Sequence, residues 1–258
     1  LRVARAYSKR DEFIMIEGGY HGVSDSVLWD IDLDEWDPNV GSPVLASSSL
    51  GVPKHNSEMI HLVPMNDASR LEDLLKEKHN DIGALIIEPI LGNCCSIAAT
   101  QDYMNAVRSL CDQYNVVLII DEVKTGFRVA KGGVQELYGI DADLCTYAKS
   151  IANGYPISAI CGKEELMRVI KYGGVLHGGT FTAHSVALSA ANKTLDILQN
   201  TDALKTVHDY GQALKDGVSK ILSTRDVPHC FTGHPSMSGL FLSENSPTNA
   251  RDFKASNY

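Results

Sequence analysis

Two carboxylates and a lysine stand at the ends of apolar runs, and their side chains are the ones that could do chemistry. Glu88 ends the run LIIE, Asp121 ends the run VVLIID, and Lys149 ends the run DLCTYAK. In open α/β sheets, ligands bind outside the carboxyl ends of the strands. If the runs are neighbouring strands, Glu88 and Asp121 face one site. The alternative is that each acid only caps or braces a loop.

An apolar strand that ends in Asp121 and Glu122 is also how many nucleoside triphosphatases hold magnesium. Such an enzyme needs a phosphate loop of the form GxxxxGK[ST], whose amides cradle the phosphates. Lys124 and Lys149 precede Thr125 and Ser150 but have no glycine before them, so neither forms this loop. The sequence therefore disfavours a magnesium site.

An organic cofactor fits these residues better. Pyridoxal phosphate (PLP) chemistry needs a lysine that binds the aldehyde, an acid on the ring nitrogen and donors for the phosphate. Asp121 suits the ring nitrogen, because an ion pair in a dry site keeps both groups charged. Lys149 ends a strand-like run, whereas Lys124 and Lys131 lie in polar loops and are expected to be solvated.

The elements that must position these residues alternate along the chain. The first residues, from Leu1, have the pattern of the last turns of an amphipathic helix. An apolar run predicts a strand that leads into a Gly turn over 13–19, and further apolar runs predict strands at 59–63, 82–89, 116–120, 143–149, 156–162 and 238–242. Amphipathic runs predict helices at 67–78, capped by Asp67, and at 101–115, 163–172, 182–199 and 202–223. Continuous apolar strands between helices predict a mostly parallel central sheet with helices on both faces.

The composition limits the classes of binding partner that we expect for this chain. The net charge of −9 argues against nucleic-acid and anionic-membrane surfaces, and no apolar run is long enough to span a bilayer. The six cysteines have no CxxC spacing and indicate a reducing compartment, so we expect a cytoplasmic protein. The histidines form no HExxH motif, and we expect no metal site, because His229, Cys230 and His234 stand in a predicted loop. A small-molecule substrate is favoured.

Several segments together carry a family resemblance. The stretch DEVKTGFRVAKGGVQELYGIDADLCTYAKSIANGYPISAICG resembles the core signature of class III PLP-dependent aminotransferases, close to the glutamate-1-semialdehyde 2,1-aminomutase branch. The segments LRVARAYSKRDEFIMIEGGYHG, IIEPILGN and HGGTFTAHSVAL match in the same order, so the resemblance covers about residues 1–200. It implies the α/β fold of PLP-dependent transferases of fold type I.

The resemblance implies a role for each matching position. Lys149 corresponds to the Schiff-base lysine and Asp121 to the acid on the ring nitrogen. Val123 and Tyr20 correspond to residues on the two ring faces, with His21 beside Tyr20. The remaining cofactor contacts implied are Asn93 near the ring hydroxyl, Glu88 beneath the site, and Gly179 and Thr180 on the phosphate of a neighbouring subunit, hence a homodimer. Taken alone, each of these positions also has an ordinary structural explanation.

The organisation expected from the resemblance is a large PLP-binding domain at 1–200 and the beginning of a small C-terminal domain at 201–258. The family's phosphate loop should precede Leu1, so we expect an internal fragment of a longer protein. Residues 29–59 correspond to a mobile lid, and five acidic residues lie close together near its beginning, Asp30, Asp32, Asp34, Glu35 and Asp37. The simpler interpretation of this acidic segment is a solvated loop. The more specific hypothesis is a lid that repels anionic substrates or attracts cationic ones.

The function expected is amino-group transfer between an amino donor and an aldehyde or keto acceptor. Segments that differ from the aminomutase pattern, SIANGYPISA after Lys149 and TAHSVAL after Thr180, favour a transaminase. An intramolecular aminomutase uses the same residues and stays open, as do racemisation and decarboxylation. A member of the family that has lost catalysis is the alternative from another class, and retention of Lys149 and Asp121 speaks against it.

Overall fold

A computed structural model describes residues 1–32 and 44–255. Its strands are β1 (Glu12–Ile16), β2 (Trp29–Asp32), β3 (Val44–Ser47), β4 (Ile60–Val63), β5 (Ile82–Ile87), β6 (Ile90–Leu91), β7 (Ile97–Ala98), β8 (Val117–Asp121), β9 (Leu144–Tyr147), β10 (Ala159–Gly162), β11 (Cys230–His234) and β12 (Met237–Phe241). Its α-helices are α1 (Arg2–Ser8), α2 (Ala68–Lys78), α3 (Gln101–Tyr114), α4 (Gly133–Tyr138), α5 (Glu164–Met167), α6 (Ser185–Asn200), α7 (Ala203–Ser223) and α8 (Ala250–Ala255).

Six strands of the described residues form the central sheet, in the order β10-β9-β8-β5-β1-β4. The five strands from β4 to β9 pair in parallel, and β10 is antiparallel to β9. The mostly parallel α/β sheet predicted from the sequence is therefore confirmed. The carboxyl ends of β1, β5, β8 and β9 meet at one edge, where the predicted site residues lie.

Burial explains why the apolar runs became central strands. Every residue of β5 and β8 is buried, as expected for strands covered on both faces. One core lies between the sheet, α2 and α3, and a second lies on the opposite face against α1 and α5. The flanking helices begin at side-chain caps, since Asp67 accepts from the amide of Arg70 and Thr100 from that of Tyr103.

Some predicted elements differ from the structure. The segment around Cys230 is a strand, β11, paired with β12, so the predicted loop there was wrong. The predicted helix at 163–172 is helical only over Glu164–Met167. The predicted lid contains an antiparallel ribbon of β2 and β3, and its residues Asp34, Glu35 and Asp37 lie outside the described residues.

Neither a metal-binding cluster nor a membrane-spanning helix occurs among the described residues. Within residues 1–32 and 44–255, no group of three or more His, Cys, Asp or Glu side chains is arranged to hold a metal ion. In the same ranges, no helix combines the length and the apolar character needed to cross a bilayer.

Candidate functional site

Asp121 is the centre of the site at the carboxyl edge of the sheet. It is the last residue of β8 and is 5% exposed. Its Oδ2 lies 2.8 Å from Nδ1 of His21, and its Oδ1 accepts from the amide of Val123 and from Oγ1 of Thr146, both at 3.0 Å. Burial favours the neutral acid, but these hydrogen bonds and the nearby imidazole outweigh it and lower the pKa of Asp121. The carboxylate therefore stays ionised although it is buried.

His21 links this carboxylate to an open cavity. Its side chain is 1% exposed, and one ring nitrogen, Nδ1, faces Asp121. The other nitrogen, Nε2, is buried and has no hydrogen-bond partner among the described residues. His21, Asp121, Val123 and Thr146 line a cavity of about 510 Å³, whose other wall includes Val175 to His177. A buried polar atom without a partner beside a cavity indicates a ligand-binding position.

Glu88 and Tyr20 are joined beneath the same edge. Glu88 follows β5, is 2% exposed, and accepts from the amide of Tyr20 at 2.9 Å. Burial raises the pKa of Glu88, and the nearby His21 ring, the Tyr20 amide and Lys124 oppose that rise. Glu88 therefore fixes the turn after β1 that presents Tyr20 and His21.

Lys124 was predicted to be solvated, and that prediction was wrong. Its side chain is half-buried, and its ammonium group donates to Oδ1 of Asn93. The ammonium nitrogen also lies 6.0 Å from the centre of the Tyr20 ring. The polar sequence around Lys124 gave no sign that two distant loops pack against it.

Lys149 lies just beyond β9, close in sequence to Thr146. It begins a short 3₁₀ helix, Lys149–Ile151, with a φ of 46° and an exposed side chain. A positive φ is uncommon for a residue with a side chain and often occurs at functional positions. Lys149 is not among the residues that line the cavity in the described part of the chain. Gly179 and Thr180 are exposed and lie just after the cavity-lining segment 175–177.

Glu122, next to Asp121, has a structural role. Its carboxylate is fully buried and accepts from Oγ1 of Thr125 at 2.6 Å, from the amide of Val134 at 3.1 Å and from that of Gln135 at 3.3 Å. Burial raises the pKa of Glu122, and these donors oppose the rise. The side chain fastens the start of α4 to the end of β8.

Sequence reasoning missed Thr146 as a site residue. It stands opposite Asp121 in the parallel pairing of β8 and β9, and its hydroxyl donates to the Asp121 carboxylate. Its position three residues before Lys149 could have drawn attention to it. The decisive information is the register of the two strands, which spacing alone does not supply.

Comparison with known proteins gives the site a family context. Residues 1–256 match the family described as aminotransferase class-III. A glutamate-1-semialdehyde 2,1-aminomutase from Methanothrix thermoacetophila is 37% identical over 243 residues, which are 94% of this chain and 54% of that protein. The chain thus spans about half the length of the curated relatives it matches.

Solved structures agree in fold. An omega-transaminase from Sphaerobacter thermophilus superposes with a TM-score of 0.89 at 28% identity, over 97% of this chain and 58% of that one. A transaminase with PLP bound has a TM-score of 0.82, also at 28% identity, over 95% of this chain and 56% of that one.

The family and the PLP-bound neighbour indicate pyridoxal 5'-phosphate as the cofactor, and the site fits it. An ionised, buried Asp121 beside a cavity can pair with a protonated ring nitrogen, as the chemistry of this cofactor requires. The buried Nε2 of His21 offers a further polar contact at the same wall.

Proposed function

Because the chain belongs to the class-III aminotransferase family, we propose that the whole protein is a PLP-dependent transaminase. It moves an amino group between an amino donor and an aldehyde or keto acceptor, both small molecules. The observation that carries the proposal is the buried Asp121 carboxylate, held ionised by three hydrogen bonds at the wall of the cavity.

The residues of this chain have different proposed roles in the reaction. When bound, PLP supplies an electron-withdrawing ring that stabilises negative charge on the substrate carbon. Asp121 holds the proton on the ring nitrogen, and His21 and Thr146 keep its carboxylate oriented. Lys149 would hold the cofactor covalently until the amino donor displaces it. Its released Nζ would then take the proton from the donor carbon and pass it to the cofactor. Glu88 supports the turn that carries Tyr20.

The other contacts complete the proposed cofactor site. Val123, which lines the cavity, and Tyr20 are assigned to the two faces of the ring, and Asn93 to its hydroxyl group. Gly179 and Thr180 are exposed, which supports their assignment to the phosphate of a neighbouring subunit in a homodimer. The described cysteines are free thiols, which supports a cytoplasmic location. Residues 1–200 and 201–258 are proposed as the large domain and the beginning of the small one.

An intramolecular aminomutase is the second candidate. The Methanothrix relative carries that name, and the same acid and lysine would serve an amino shift within one molecule. The two activities differ in whether the intermediate leaves the site between the half-reactions.

One experiment separates the candidates. The full-length protein with PLP is supplied with a panel of amino donors and carbonyl acceptors, and separately with glutamate 1-semialdehyde alone. Transaminase activity requires a donor and an acceptor together, whereas an aminomutase converts the semialdehyde without a second substrate. PLP binding without turnover in any mixture would instead favour a family member that has lost catalysis.

A further inference from the structure

Lys124 lies between three loops at the rim of the candidate site. It follows Val123, a cavity-lining residue, and its ammonium group donates to Oδ1 of Asn93. The same nitrogen is 6.0 Å from the centre of the Tyr20 ring, within the range of cation–π attraction. One cation therefore connects the turn after β1, the turn after β6 and the loop after β8.

The position of Lys124 depends on a glycine. A Cβ atom added to Gly92 would lie 2.9 Å from Cε of Lys124 and closer still to Cδ and Nζ. The lysine side chain therefore runs directly over the backbone at residue 92. Any larger residue there would displace the ammonium group from Asn93.

The charge of Lys124 also acts on the acid beneath the site. Burial raises the pKa of Glu88, and Lys124 is one of the groups that oppose this rise. Glu88 in turn holds the amide of Tyr20. Lys124 thus stabilises two side chains by direct contact and a third through its charge.

We propose, on the basis of the function proposed above, that Lys124 is a positioning residue of the cofactor site. By engaging Oδ1 of Asn93, it fixes the amide so that its nitrogen, the donor end, points away from the ammonium group and stays available to a ligand. It also holds the Tyr20 ring in place. In this role Lys124 forms no covalent bond to the cofactor, which distinguishes it from Lys149.

The test measures binding of PLP by the full-length protein and its Lys124→Met and Lys124→Arg variants. Because Asn93 is exposed, water weakens its contact with the ammonium group, and losing that contact should cost roughly 1 kcal/mol. Lys124→Met should therefore bind PLP about fivefold more weakly. Lys124→Arg should recover part of this loss. The visible circular dichroism of the bound cofactor should change in Lys124→Met, because the ring is no longer held in the same orientation.

Lys131→Met is the matched control, since Lys131 lies on the same segment but donates to the backbone of Gln199. It should leave both PLP affinity and the dichroism unchanged. In a double-mutant cycle, Asn93→Ala should cost less affinity in the Lys124→Met background than in the unmutated protein.

Two results have different meanings. If the unmutated protein binds PLP and Lys124→Met binds it equally well with the same dichroism, the positioning role is refuted while the proposed function stands. Additive effects in the cycle also refute it. If the unmutated full-length protein binds no PLP, the proposed function itself fails.

Discussion

Replacing Glu122 by glutamine should destabilise the protein, although the side chain keeps its shape. Glu122 is fully buried, and its two oxygens accept from Thr125, Val134 and Gln135. An amide has only one oxygen. If this oxygen accepts from Thr125 and Val134, the NH₂ group of the glutamine faces the backbone amide of Gln135. Two hydrogen-bond donors then oppose each other.

The magnitude follows from these contacts. One buried donor left without an acceptor costs about 1–3 kcal/mol. Glutamine also removes a buried charge, which offsets part of this cost, because burial already disfavours the ionised form of Glu122. We therefore expect Glu122→Gln to lower the free energy of unfolding by about 1–2 kcal/mol, and Glu122→Ala by about 3–5 kcal/mol, since three donors and a cavity are then left.

Urea unfolding followed by far-ultraviolet circular dichroism measures these differences, and the m-value should stay constant. Glu136→Gln is the matched control, because Glu136 lies in α4, the helix that Glu122 contacts, and accepts from the amide of Gly132 but is exposed. It should change the stability by no more than about 0.5 kcal/mol. If Glu122→Gln is no more destabilising than Glu136→Gln, the buried fastening of α4 is not the stabilising feature we infer.

Three further results are expected. Burial opposes ionisation of Asp143, but its hydrogen bonds, including one from the Leu118 amide, and nearby cations lower its pKa. The ionised side chain therefore contributes its full stabilisation above the unfolded-state pKa, and this is lost as the pH falls through the folded-state pKa. In urea titrations, Asp143→Asn should flatten the loss of stability below about pH 4. Asp121→Asn should reduce turnover at least about 10²-fold in a coupled assay, and unchanged turnover would contradict the role of its charge. Arg251→Met should lower the free energy of unfolding by about 3–5 kcal/mol, because the fully buried Glu17 then loses its bidentate partner. Adding Glu17→Gln should recover part of that stability, and a double variant that is equally unstable would contradict this pairing.

The sheet was predictable because its strands are fully buried. Continuous apolar runs mark such strands, and the polar residue that ends each run marks the carboxyl edge. Glu88 and Asp121 were placed on this basis, and both lie at that edge. The helix cap Asp67 was predictable from its residue type and its position directly before the helix, because capping depends on local chemistry alone.

Contacts between distant segments could not be predicted in the same way. The hydroxyl of Thr146 reaches Asp121 only because of the register between β8 and β9. Lys124 was assigned to solvent from its polar neighbours, yet Asn93 and Tyr20 approach it from two other loops. Cys230 was placed in a loop, because β11 lacks the long apolar run of a central strand and, among the described strands, pairs with β12 alone.

We propose that Lys149 binds the cofactor covalently while Asp121 serves its ring nitrogen. The most direct measurement is borohydride reduction of the full-length protein loaded with PLP, followed by peptide mapping with mass spectrometry. We expect the cofactor to remain attached to Lys149, and we expect Lys149→Ala to carry no attached cofactor. Attachment to Lys124 or to another lysine, or no attachment in the unmutated protein, would contradict it.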